Sequence, residues 1–202
     1  MAPPHRSRSD DFLELKIMNS KVESVWNYFL ALEDDLKETS RYVEPYNQDD
    51  VYSIEFFKIM VLASTECESV MKMMCKELSG EEKGDISDYK QILLTHFPGI
   101  CNAEVYIPRA GFKCICPFAD WSSKPLNWWS VYQNCKHSRH SHFCDANYET
   151  TTTVMGALYI LLLYFCKLMG DDYTLLRGTQ YIYSKYTSKV MITECGDEHL
   201  PK

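Results

Sequence analysis

Residues 154–166 read Val-Met-Gly-Ala-Leu-Tyr-Ile-Leu-Leu-Leu-Tyr-Phe-Cys, an apolar run with no charge until Lys167. A segment apolar on every side has to be covered on every side, so it predicts the central helix of a packed core. It falls short of the roughly 20 apolar residues that a bilayer crossing needs, and no membrane span is expected. The threonines 150–153 weaken helix slightly, because β-branched side chains lose rotamer freedom there. The length of the segment still favours helix over strand, from about 145 to 169.

What covers that helix must come from the rest of the chain. From Ser20 to about Tyr42, Val22, Val25, Trp26, Phe29, Leu30, Leu32 and Leu36 recur at three- and four-residue steps, one face of an amphipathic helix. The Pro-containing stretch 44–50 ends it. A second helix is expected over about 51–78, with Ile54, Phe57, Val61, Leu62, Val70, Met71, Met74 and Leu78 as its buried stripe and Ser79-Gly80 as its stop. A shorter helix is expected at 87–97, ended by Pro98-Gly99. Residues 103–121 contain two short β-prone runs around Pro108-Arg109-Ala110-Gly111, which read either as a small hairpin or as an extended loop. A further helix is expected from Leu126 to Lys136 or beyond, with a break at 138–143. Residues 173–194, rich in Tyr, Thr and Ile, read equally as helix or strands. Residues 1–11 have no periodicity and read as a disordered tail. The expected fold class is all-α: an antiparallel bundle of four to six helices in a single domain over 12–202, with a loop-rich insertion near 103–121.

With 202 residues, 46% apolar and 24% charged, the chain can bury one ordinary core. A net charge of −7 excludes a protein that coats nucleic acid by bulk electrostatics. A local basic site with stacking rings can still hold single-stranded RNA. Nine cysteines without an apolar leader-like stretch in 1–11 point to reduced thiols and a cytoplasmic protein.

Chemistry concentrates between Trp128 and His142. On a helix Trp129, Tyr132 and Lys136 share a face, and Gln133 lies beside His137. His137, His140, His142, Lys136 and Arg139 fall within seven residues of one another. Arg forks onto phosphate, His moves protons near neutral pH, and aromatic rings hold bases, so these are the groups of a phosphodiester site. The alternative is structural: the tryptophans are core and the polar cluster is a lock or interaction face. Cys114-x-Cys116, Cys135-x-His137, His140, His142 and Cys144 offer enough zinc donors, but a single intervening residue departs from the usual two to four, and no metal site is expected. Glu68 and Lys72 have the favourable ion-pair order of a solvated helix face. Glu66, facing inward, would need a cation such as His137 or Arg139.

The run Trp128-Trp129-Ser130-Val131-Tyr132-Gln133-Asn134-Cys135-Lys136-His137-Ser138-Arg139, with Phe143, Ala146-Asn147 and the apolar helix after it, resembles a bacterial group of HEPN-like helical proteins. So do Ser40-Arg41-Tyr42-Val43-Glu44-Pro45, Glu66-x-Glu68 with Lys72, Asp88-Tyr89 and Pro117-Phe118-x-x-Trp121. The resemblance implies a helical bundle, commonly dimeric, of the toxin and phage-defence kind, many of whose members cleave RNA without a metal or other cofactor. It implies an Arg and a His as catalytic residues, and the reading of the cluster then expects His137 and Arg139 in those roles, oriented by Glu66, with Lys136, Tyr132, Trp129, Asn134 and Lys72 as RNA contacts. It implies RNA, a second copy of the chain and a partner protein of a defence or toxin system as partners. The chain departs from the family's ribonuclease motif, which sets its His several residues after the Arg. Here His140 and His142 follow Arg139 too closely, and His137 precedes it.

Overall fold

The computed structural model describes residues 8–170, 176–184 and 186. Over these the chain is mainly helical, with five α-helices and one antiparallel hairpin. Helix α1 (Arg8–Thr39) begins inside the stretch expected to be a tail, and residues 1–7 lie outside the described residues. Its inward face is close to the expected one: Val22, Val25, Trp26, Phe29, Leu32 and Leu36 are buried, and Leu30 is partly buried.

Helix α2 (Ile54–Ser79) starts where the Ser53 hydroxyl accepts the Phe56 N–H at 3.1 Å. It stops at Gly80, whose left-handed backbone (φ 75°) lets its N–H reach the Lys76 carbonyl. The buried stripe differs from the expected one. Phe56, Ile59, Met60, Ala63, Cys67, Val70 and Met74 face inward, whereas Ile54 is 66% exposed, Leu62 is 41% exposed and Phe57 is only partly buried. Apolar residues lie on more than one side of α2, so periodicity alone admits several stripes, and contact with neighbouring helices selects one. Helix α3 (Ile86–His96) is capped by Asp85, which accepts the Ser87 and Asp88 N–H groups, and it buries Tyr89 and Leu93.

The 103–121 insertion is a hairpin. Strands β1 (Val105–Ile107) and β2 (Lys113–Ile115) pair with Val105 opposite Ile115, Tyr106 opposite Cys114 and Ile107 opposite Lys113. Val105, Ile107 and Ile115 point into the core. Helix α4 (Asn127–His142) runs through the expected break with one non-helical residue, Ser138 (φ −146°, ψ 56°).

Helix α5 (Tyr148–Leu168) is the expected central element, starting where the Asn147 side chain accepts the Thr150 N–H. By length and composition it could cross a membrane, but 83% of its most apolar window is buried by the protein itself. Its most extensive packing is on α2, followed by α1. The threonine run is accommodated because Thr151, Thr152 and Thr153 return their hydroxyls to the carbonyls of Asn147, Tyr148 and Glu149. Gly156 marks where the hairpin touches α5: a Cβ there would lie 2.7 Å from Val105 Cγ2 and 3.2 Å from Pro117 Cγ.

Residues 176–184 are irregular and lie against α1, α5 and β1; the remainder of the 173–194 stretch, apart from Tyr186, lies outside the described residues. Tyr183 and Tyr106 exchange both backbone hydrogen bonds, at 2.7 and 2.9 Å. The Trp26 indole donates to the Arg177 carbonyl at 3.0 Å, and the Tyr148 and Tyr181 hydroxyls meet at 2.9 Å. Glu33, 1% exposed, anchors the segment by accepting the N–H groups of Gln180, Tyr181 and Ile182 at 2.8 to 2.9 Å. Burial pushes its carboxyl above the ordinary carboxylate range, against the pull of those three donors.

This packing makes two positions sensitive in measurable ways. Gly156→Ala should destabilise by about 1–3 kcal/mol through overpacking, despite the better helix propensity of Ala, and Val105→Ala should recover part of that loss in the double variant. Urea denaturation of the three variants measures it. Glu33→Ala, leaving three N–H groups unpaired, should lose about 3 kcal/mol, and Glu33→Gln about 1 kcal/mol because one acceptor remains. A carboxyl raised in the folded state binds its proton more tightly there than when unfolded. Its contribution is therefore full below the unfolded carboxylate range and is lost as pH rises through the folded value. The stability gap between wild type and Glu33→Gln should accordingly narrow as pH rises through that range.

Candidate functional site

Helix α4 is held by its first turns. Trp128 is buried and donates its indole N–H to the Pro117 carbonyl at 3.0 Å, with Phe118 edge-on at 6.1 Å. Trp129 is partly buried and meets Trp128 and Tyr132 edge-on at 5.8 and 5.5 Å. Tyr132 is 2% exposed, and its hydroxyl lies 3.3 Å from that of Thr65 on α2. These rings are thus committed to packing. Tyr132, expected to help hold RNA, has no free face for a base; Lys136 covers it, with its ammonium 5.6 Å from the ring centre.

The second half of α4 is different. Lys136, His137, Arg139 and His140 are exposed, as is Asn134. The kink at Ser138 redirects the chain so that the Arg139 guanidinium lies over the Phe57 ring, 5.8 Å from its centre. Phe143 packs on the same ring at 5.6 Å and meets Tyr52 edge-on. The kink is bridged by the Cys135 thiol, which donates to the His142 carbonyl at 3.1 Å; burial pushes that thiol up to about 11. His142 Nδ1 sits 2.8 Å from Asp145 Oδ2, which fixes that ring beyond the kink. Among the described residues neither His137 nor Arg139 is in an ion pair. The second half of α4 thus exposes two basic side chains and two imidazoles, with Lys136 over the Tyr132 ring and Arg139 over the Phe57 ring.

Glu66 does not join them. Thr65 faces Tyr132, and the next residue is turned about 100° round α2. Glu66 is half-buried on the side of α1, where its charge helps raise the Tyr28 hydroxyl after burial has done most of that work. Burial also pushes the Glu66 carboxyl up, and among the described residues it has no ion pair with His137 or Arg139. Within one chain, no contact among the described residues thus joins Glu66 to the expected His–Arg pair. Lys72 is bound to Glu68 at 2.9 Å, away from the second half of α4. It lines a groove of about 590 Å³ with Lys21, Lys76 and Lys83, where Lys76 and Lys83 are also paired to glutamates.

The 135–144 donors do not converge on a metal position among the described residues, whereas Glu104, Cys114 and Cys116 do, within 4.8 Å of one another. Both cysteines stand out as donors in the sequence, but Glu104 does not. The signal that would have found it is the two-residue alternation of a hairpin. Phe57, which periodicity places in the core stripe, is instead the platform beneath Arg139.

Comparison with protein-family models, with curated proteins and with solved structures gave no match.

The two halves of α4 should respond differently to substitution. Tyr132→Ala should lose about 3 kcal/mol or more of stability as a buried aromatic truncation. Lys136→Ala and His137→Ala should stay within about 0.5 kcal/mol of wild type, as exposed positions do. Chemical denaturation distinguishes them.

Proposed function

We propose that this chain is an HEPN-like antiparallel helical bundle that binds RNA on the kinked end of α4 and, as a homodimer, cleaves it without a metal. The observation that supports this over a structural polar lock is the exposure of His137 and Arg139, neither of them ion-paired among the described residues. Buried polar locks are fully paired, since an unpaired buried charge costs several kcal/mol.

In this reading Arg139 and Lys136 take the phosphate, Arg139 by its planar fork. His137 removes the proton of the neighbouring 2′-hydroxyl, whose oxygen attacks phosphorus. Arg139 then stabilises the charge of the phosphorane, and the proton held on the imidazole passes to the departing 5′-oxygen, leaving a 2′,3′-cyclic phosphate and a 5′-hydroxyl. Asn134, about one turn back from His137 on α4, contacts the flanking nucleotide, and the partly buried Trp129, about two turns back, borders that contact. Dimerisation supplies a second surface facing the first, across which the RNA is held. The resemblance to toxin and defence proteins suggests a cytoplasmic role there, beside a partner protein.

The purified protein, incubated with varied RNAs in EDTA, should cleave at least one of them. His137→Ala and Arg139→Ala should each lower the rate by about 100-fold or more. Lys136→Ala should weaken RNA binding and reduce the dependence of log affinity on log salt by about 0.7, the share of one phosphate contact to a single strand. Binding without cleavage would sink the nuclease and leave a binding module; no binding to any RNA would sink both.

A further inference from the structure

The outer face of the hairpin carries a second cluster, unrelated to the α4 cations. Side chains alternate sides along a strand, and Val105, Ile107 and Ile115 take the inner side. The opposite side therefore receives Tyr106 and Cys114, which face each other in the register. One further step in that register sets Glu104 against Cys116. Three potential metal donors thus meet: a carboxylate oxygen and two sulfurs, all within 4.8 Å of one another. The single residue between Cys114 and Cys116, which counts against a metal in the sequence, is the spacing that puts two side chains on one face of an extended strand.

We propose that Glu104, Cys114 and Cys116 form a binding site for a thiophilic divalent cation, zinc(II) foremost, with its fourth coordination position open to water. A tetrahedral zinc with bonds of about 2.3 Å to sulfur holds its donors roughly 3.8 Å apart, so rotation of partly exposed side chains closes the site. Two thiolates select zinc over magnesium or calcium, which prefer all-oxygen shells. The carboxylate is already oriented: the Tyr106 hydroxyl donates to Glu104 Oε2 at 2.6 Å, the outer-sphere hydrogen bond that ligating carboxylates commonly receive. Tyr106 is in turn fixed by its paired backbone bonds to Tyr183. The cation would clamp the two strands of the hairpin at the end opposite its turn.

Cobalt(II) titration of the reduced full-length protein tests this, because thiolate-to-cobalt charge transfer reports sulfur ligation directly and needs no RNA assay. One equivalent should produce the near-ultraviolet band, and zinc(II) should abolish it. Cys114→Ser and Cys116→Ser should each lower the band to about half or less, and the double variant should remove it, while Cys144→Ser, an exposed cysteine outside the cluster, should leave it unchanged. Glu104→Gln should keep the band but weaken cobalt binding by about 10-fold or more, and Tyr106→Phe by about 10-fold, as a lost outer-sphere partner does. Circular dichroism checks that each variant is folded. Absence of the band in wild type, or an undiminished band in either serine variant at 114 or 116, would overturn the site. Unchanged affinity in Tyr106→Phe would overturn the positioning part.

Discussion

The structure depends on covering α5. A helix whose residues 154–166 are all buried leaves no side for solvent, and each neighbouring element is placed by what it contributes to that cover. Helices α1 and α2 supply the two largest faces. The hairpin supplies another through Val105, and the contact is close enough that only glycine fits at 156. Burying such a helix is the main source of stability, and it also fixes the directions in which the remaining segments can leave.

One of those directions matters for chemistry. Trp128, Trp129 and Tyr132 seat the first half of α4 on α2 and the 117–121 loop, so the second half projects its cations outward. Ser138 then breaks the helical geometry while the Cys135 thiol bridges across it. The rigid half and the exposed half are thus two consequences of a single anchoring. This division explains why the aromatic residues of the segment carry packing while its basic residues stand exposed.

The polar interior is organised by one buried carboxylate. Glu33 receives three consecutive N–H groups of the 180–182 segment and joins that segment to α1. The joined segment then pairs with Tyr106 on the hairpin, whose outer face bears Glu104, Cys114 and Cys116. The anchoring of the C-terminal segment and the geometry of the proposed cation site therefore share one residue.

Much of the secondary structure is legible in the sequence. The apolar run, the α1 face, the Gly80 boundary and the short α3 are local consequences of periodicity and capping, which a linear sequence encodes. The α2 stripe is not legible at Ile54 and Leu62, nor is the neighbour of Glu66, because apolar and polar residues on several sides of a helix leave its rotation open. That rotation is decided by the helices it meets, as are the burial of Tyr132 and the contact of Arg139 with Phe57. The convergence of Glu104 on Cys114 and Cys116 is likewise set by hairpin register, a relation between distant residues. The sequence determined the helical segments from Ser20 to Leu168 and where the α4 cations lie along the chain. Only the tertiary structure decided which way each face turns, since orientation is fixed by long-range packing and not by local propensity.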